Sequence, residues 1–184
     1  MRIVIFLSLI FIILNVKANE IGKVTGFKIP RFVSLKSNDV NLRIGPSTNY
    51  PIIINYIQKN FPVEIIKEHD VWRQVKDIEG NIGWIHAPLL KGDRYGIIFS
   101  KNDSASIFNY PNGIKIGKIG NKNIVKIEKC LEKWCLISLK KNKGWLIKND
   151  LWGIYSSEIY KINFMQPLIN LYWKIIGVIS KFIF

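Results

Sequence analysis

Hydrophobic positions fall into three regimes along the chain. From Ile3 to Leu14 they form one apolar run. Between about residues 32 and 153 they come in short runs, broken roughly every 8–12 positions by turn residues, which is an all-β signature. From Asn163 to Phe184 they fill most positions and are interrupted by Asn163, Gln166, Asn170, Lys174, Gly177 and Lys181, three or four apart. That spacing is the period of one helical face. Each regime predicts a different element.

The first regime reads as a secretory signal over residues 1–18. Met1-Arg2 gives a positive start, and Val16 and Ala18 place small residues where cleavage after Ala18 needs them. An apolar run of this length falls short of the about 20 residues a membrane span requires. An uncleaved anchor is the alternative, and a lipoprotein is excluded because no Cys follows the run. The last regime, 163–184, predicts a hydrophobic amphipathic helix starting near Pro167, a residue suited to a first helical turn. Leu168 to Phe184 would extend only about 25 Å. Three placements stay open. The helix packs on the β-region, lies in a membrane interface with Trp173, Lys174 and Lys181 at the headgroups, or spans a bilayer. Lys174 at mid-segment argues against spanning.

The middle regime contains an internal repeat. Asp39-Val40-Asn41-Leu42-Arg43-Ile44-Gly45-Pro46 returns weakly as Ser104-Ala105-Ser106-Ile107-Phe108-Asn109-Tyr110-Pro111. Val71-Trp72-Arg73-Gln74-Val75 returns as Lys133-Trp134-Cys135-Leu136-Ile137, and Gly83-Trp84-Ile85 as Gly144-Trp145-Leu146. The order is the same in both copies, so the chain divides into two units, 32–92 and 96–153. The join Lys91–Gly96 is short, and the units should pack closely. Strands are expected near 40–44, 53–57, 62–68, 71–77 and 81–85, with turns at Glu68-His69-Asp70 and Asp77–Asn81. Unit two should repeat them, turning at Leu131-Glu132 and Lys141-Asn142. Five short strands in about 60 residues predict a small barrel with an aromatic-rich core.

Val40-Asn41-Leu42-Arg43-Ile44-Gly45-Pro46-Ser47 resembles the opening motif of bacterial SH3-like domains, which continues with a Trp-centred strand and a Gly-Trp step. Here those are Trp72 and Gly83-Trp84-Ile85, running on to Leu90. The second unit keeps the later motifs and departs at the first, with Phe108 in place of Arg43 and Tyr110 in place of Gly45. The resemblance covers about 120 residues and implies two tandem SH3-like β-barrels. It also implies a periplasmic or wall-facing location, and a module that binds peptidoglycan or peptide partners.

Charge and candidate chemistry refine this picture. Without residues 1–18 the chain carries 25 basic against 13 acidic residues, a net +12. Such a charge suits anionic partners. Yet Ile, Lys and Asn, which share AT-rich codons, make up 74 of 184 residues, so composition bias is the favoured explanation of the excess. Arginine is scarce and no nucleic-acid motif is present, so nucleic acid is not an expected partner. Cys130 and Cys135 flank a tight turn in an exported chain, which predicts a disulfide; two buried thiols are the alternative. His69 and His86 lie 17 residues apart with no metal-ligand spacing, so neither a metal nor another cofactor is expected. No acid–base pair stands out and no residues remain for a catalytic domain, so the chain reads as a non-enzyme.

The aromatics are then the binding candidates. Tyr50, Tyr56, Trp72 and Trp134 are expected at ligand-binding positions, because SH3 domains dock extended peptides on aromatic-lined grooves. Trp84 and Trp145, which follow Gly inside strands, are expected in the core. The resulting expectation is an exported, periplasmic or secreted binding module. Its alternative is a membrane-associated scaffold, held at the bilayer through Leu168 to Phe184 and contacting another envelope protein.

Overall fold

Period-two alternation in the repeated segments appears directly as burial. Val40 and Leu42 in one copy, and Ala105 and Ile107 in the other, point inward, while the residues between them are only half-buried. The computed structural model describes residues 20–162 and 164–183. The expected signal segment, 1–18, lies outside the described residues.

Among the described residues the architecture is all-β with one α-helix. A short hairpin pairs β1 (Glu20–Ile21) with β2 (Lys28–Ile29). The first large sheet contains β3 (Arg31–Leu35), β4 (Val40–Arg43), β5 (Ile52–Tyr56), β6 (Pro62–His69), β7 (Trp72–Lys76), β8 (Ile82–His86) and β9 (Leu90–Lys91). The second contains β10 (Tyr95–Ile98), β11 (Ser104–Phe108), β12 (Lys115–Gly120), β13 (Ile124–Cys130), β14 (Trp134–Leu139), β15 (Asn142–Ile147) and β16 (Leu151–Trp152). A helix, α1 (Gln166–Ile183), follows. The strand orders, β5-β4-β8-β7-β6-β3-β9 and β12-β11-β15-β14-β13-β10-β16, are the same path drawn twice. Each seven-stranded sheet curls around its own cluster of buried side chains, with Leu35, Val63, Val75 and Ile85 in one and Ile98, Val125, Ile137 and Leu146 in the other.

The five strands expected in unit one lie within a residue or so of β4 to β8. The pattern missed β3 and its pairing with β6 and β9. Arg31–Leu35 is buried at nearly every position and shows no alternation to read. The turns at Asp77–Asn81 and after Cys130 form as expected, whereas Glu68 and His69 end β6 with the turn at Asp70-Val71, and Asn142 begins β15 after a turn at Lys140-Lys141. Asp77 accepts the N–H groups of Glu79 and Asn81, and Gly80 takes φ +89°. The Gly of each Gly-Trp step has a packing reason. A Cβ on Gly83 would lie 2.6 Å from Leu42 Cγ and 2.7 Å from the Arg43 carbonyl, and one on Gly144 would collide with Ile107. Only glycine lets β4 cross β8, and β11 cross β15, this closely.

The units pack closely at their seam. Phe32 of the first sheet sits edge-on to Trp152 at 5.0 Å and against Tyr155 at 4.9 Å. Tyr155 donates its hydroxyl to Glu64 (2.7 Å), and Ser34 donates to the Asp93 carbonyl (2.8 Å). The segment after β16 folds back onto the second sheet. Buried Lys148 donates to the carbonyls of Ser156 and Glu158, and Arg94 forks onto the Glu158 carboxylate.

Helix α1 lies on the second unit. Trp173 packs edge-on to Trp145 at 5.1 Å, with Gln166 buried beneath the first turn. Trp173 therefore docks on protein rather than standing at a headgroup level. No helix among the described residues is long and apolar enough to cross a membrane.

Candidate functional site

The opening motif of unit one builds its own loop. Arg43, at the end of β4, turns its guanidinium back over the following residues, and Nη1 donates to the carbonyls of Thr48 (3.0 Å) and Tyr50 (2.7 Å). Gly45 leaves room for the Tyr50 ring, which lies 2.5 Å from where a Cβ would stand. The loop so fixed forms one wall of a shallow groove of about 200 Å³. Asn41, Arg43, Thr48, Trp72, His86 and Leu89 line it. Trp72 and His86 are cross-strand partners on β7 and β8, with rings 5.3 Å apart. Both bonds use Nη1, and no described residue accepts a hydrogen bond from Nη2 or Nε of Arg43. The groove thus joins an aromatic wall, an imidazole, two small polar side chains and part of a guanidinium. That set can hold an extended chain with a carboxylate or carbonyl at the arginine.

The matching place in unit two is different. Ladder register pairs Arg43 with Trp84 in the first sheet and Phe108 with Trp145 in the second. Trp134 stands where Trp72 does, and Ile147 where His86 does. Phe108 packs edge-on to Trp134 at 5.2 Å. Phe108 thus stands where the first unit has its cation, and Ile147 where it has its imidazole.

The residues singled out from sequence are dispersed. Trp72 is a nearly buried groove wall. Tyr50 is exposed on the loop, holding its conformation through Gly45 and Arg43. Tyr56 is not a surface residue: its ring stacks on Phe61 at 5.2 Å in the first core, and its hydroxyl donates to Asp77 (2.9 Å). Burial, with the Asp77 carboxylate second, raises its hydroxyl pKa. The cause is strand parity, because Tyr56 pairs with inward-facing Val40. Trp134 belongs to the other unit, where it lines a cavity of about 460 Å³ with Lys133, Trp173 and Lys174. Trp84 is corrected as well. It faces away from the core, half-buried and edge-on to His69, because the inward position on β8 is the fully buried Ile85. Trp145 has the same outward parity and is buried because α1 covers it. Arg43, Asn41, Thr48 and His86 were missed as lining residues. Arg43 had a signal, its place in the opening motif.

The disulfide between Cys130 and Cys135 is present, with Cα atoms 4.1 Å apart across the end of the β13–β14 hairpin. A further cleft of about 450 Å³ runs along the seam, with Arg31, Arg73, Lys91 and Arg94 beside Phe27 and Tyr160. Its arginines are already engaged: Arg31 and Arg73 face Glu68, and Arg94 holds Glu158. Glu68 is the hub of that region. It accepts the backbone N–H groups of Val24 and Thr25 (3.0 Å each), the Thr25 hydroxyl (2.6 Å) and Arg31 (2.8 Å). Burial would raise its carboxyl pKa, but the hydrogen bonds from Thr25, Arg31 and Val24 outweigh it and hold it at about 2.

Residues 36–92 match the family described as bacterial SH3 domain. No curated protein matches the chain. Among solved structures it is similar to NlpC2 from Trichomonas vaginalis, at 15% identity and TM-score 0.30 over 68% of this chain and 48% of that one. NlpC1 from the same organism gives 15% identity and TM-score 0.29 over 71% and 48%. An NlpC/P60 family protein from Bacillus cereus gives 14% identity and TM-score 0.30 over 76% and 61%. The chain spans about half the length of the two Trichomonas proteins and 61% of the Bacillus one. The matched stretch holds the opening motif, Trp72, the Gly83-Trp84 step and every residue lining the groove. Over residues 36–92, its first unit, the chain is similar to the bacterial SH3 domain family.

Proposed function

We propose that the protein is a non-enzymatic binding module of the bacterial envelope, periplasmic or secreted, built from two tandem SH3-like barrels. Its first barrel takes peptidoglycan or an extended envelope peptide in the groove at Arg43, Trp72 and His86. One observation carries this reading. The unit that is similar to the bacterial SH3 family keeps a cation, an aromatic wall and an imidazole together, whereas the second unit fills the same place with Phe108 and Ile147. The exposed part of Trp72, with His86 beside it, offers an apolar wall to a side chain, Asn41 and Thr48 offer hydrogen bonds to a backbone, and Arg43 meets a carboxylate. The lining residues include one imidazole and no carboxylate, which favours binding over hydrolysis.

The test exchanges the two versions of the groove. Arg43→Phe with His86→Ile gives unit one the residues of unit two. Co-sedimentation with isolated sacculi should fall by about tenfold or more, the scale of a central binding contact, while Phe108→Ala should leave it nearly unchanged. Parent binding should weaken at high salt. Undiminished sedimentation of the double variant, with its strand content intact by circular dichroism, removes the groove from the account.

A further inference from the structure

Helix α1 meets the second unit with one side only. Gln166 is buried, and Ile169, Trp173 and Ile176 are partly buried, on the side that carries the Trp173–Trp145 contact. Met165, Leu168, Leu171, Ile175 and Val178 follow one another at three- and four-residue spacing, with Tyr172 beside Leu171, and each of the six remains about half exposed. Phe164, just ahead of the helix, is 96% exposed. The result is a continuous apolar stripe held outward by a helix whose inner side is already committed. Exposed Lys174 and Asn170 lie alongside it.

The charge of the chain is concentrated on the same half. Residues 96–184 carry 14 lysines, no arginine and 5 acidic residues, a net +9. Residues 20–95 carry 11 basic and 8 acidic residues, a net +3. A codon bias would act on both halves alike, so bias alone does not give this asymmetry. Two such units brought face to face through α1 would oppose like charges. An anionic bilayer would meet the stripe with its acyl chains and exposed Lys174 beside it with its headgroups, and the net charge of this half would add longer-range attraction. The helix is 18 residues, about 27 Å long, and its inner side is docked on protein, so it would lie in the plane of the interface.

We propose that the exposed side of α1, with the lysine-rich second unit behind it, is a docking surface for anionic phospholipid bilayers. The binding is in-plane and independent of the groove in the first unit. The experiment is vesicle co-flotation of a chain beginning at Asn19, which keeps every described residue. Phosphatidylcholine vesicles are compared with and without phosphatidylglycerol. Flotation is expected only with phosphatidylglycerol, weakening at high salt. Leu168→Asp with Ile175→Asp should reduce the bound fraction about tenfold or more. Both positions face outward, so the Trp145–Trp173 near-ultraviolet signal should persist. Lys174→Glu, which leaves the stripe intact, should weaken flotation at low salt by a few-fold, the scale of one lysine near an anionic surface. Equal flotation on phosphatidylcholine alone, or no loss in the aspartate variant, overturns the proposal. So does a parent that is dimeric by light scattering and becomes monomeric in that variant. Sacculus binding should be untouched by all three substitutions, which separates this outcome from that of the groove.

Discussion

The two units follow one path through space but lock it differently at one rung. In the first, Glu68 faces Arg73 across the end of the β6–β7 hairpin; in the second, the corresponding rung pairs Cys130 with Cys135. Both rungs tie down a segment from outside the sheet. Glu68 gathers Val24, Thr25 and Arg31 and so pins the β1–β2 hairpin, whose Ile29 enters the first core. Cys130 exchanges two backbone hydrogen bonds with Tyr160, pinning the segment that returns after β16. A sheet of about 60 residues buries little and needs such fastenings. One unit fastens with a buried charge and the other with a covalent bond, so their vulnerabilities should differ: pH for the first, reductant for the second.

The largest effect is expected at Glu68. Its carboxylate is buried and its pKa is held near 2. Because the folded-state value is depressed, the stabilisation is fully present above the ordinary carboxylate range. It is lost as the pH falls from about 4.5 towards 2. Glu68→Gln should cost about 3 kcal/mol at neutral pH and leave Arg31 and Arg73 without their partner. Amide exchange in residues 20–29 should then rise sharply, with little change in β13 and β14. If exchange in the two units rises together, the lock is not local to the first.

Removing the disulfide should act on the other unit. It closes a loop with a sequence separation of 5, and chain-entropy arguments give such a small ring about 2 kcal/mol. Cys130→Ser with Cys135→Ser should lower the unfolding free energy of the second unit, read from its denaturant melt, by that amount and loosen the contact at Tyr160. The β1–β2 hairpin should keep its protection. Reduction of the parent should reproduce the variant, and a change confined to the first unit would contradict the comparison.

This division was only partly readable beforehand. The Trp and Gly-Trp repeats marked both units, and alternation placed strands β4 to β8, because each has one face in a core. The rung at Glu68 left no trace, since its partners Val24 and Thr25 lie 44 and 43 residues away and act through backbone N–H groups. Outward tryptophans misled for a related reason. Trp84 and Trp145 share strand parity, yet α1 covers only the second, and nothing within a strand reports what will lie on top of it. Arg43 was visible in the opening motif, but its use as a loop brace depends on the turn it stabilises.

The smallest effect is expected at the seam, and it decides whether two locks imply two independently failing units. Tyr155 reaches from the segment after β16 to Glu64 on β6, while its ring rests on Phe32. Burial, then the Glu64 hydrogen bond, raises the tyrosine pKa, so this hydroxyl stays a donor at neutral and mildly basic pH. Tyr155→Phe keeps the ring contact and removes that donor, at about 1 kcal/mol for a part-buried hydrogen bond. If the seam couples the units, urea melts followed through the hairpin and through the second sheet should coincide in the parent and separate in the variant. Coincident melts in both proteins would mean that packing around Phe32 is sufficient for coupling. Separate melts in both would mean that the pH-sensitive and reductant-sensitive units already unfold independently.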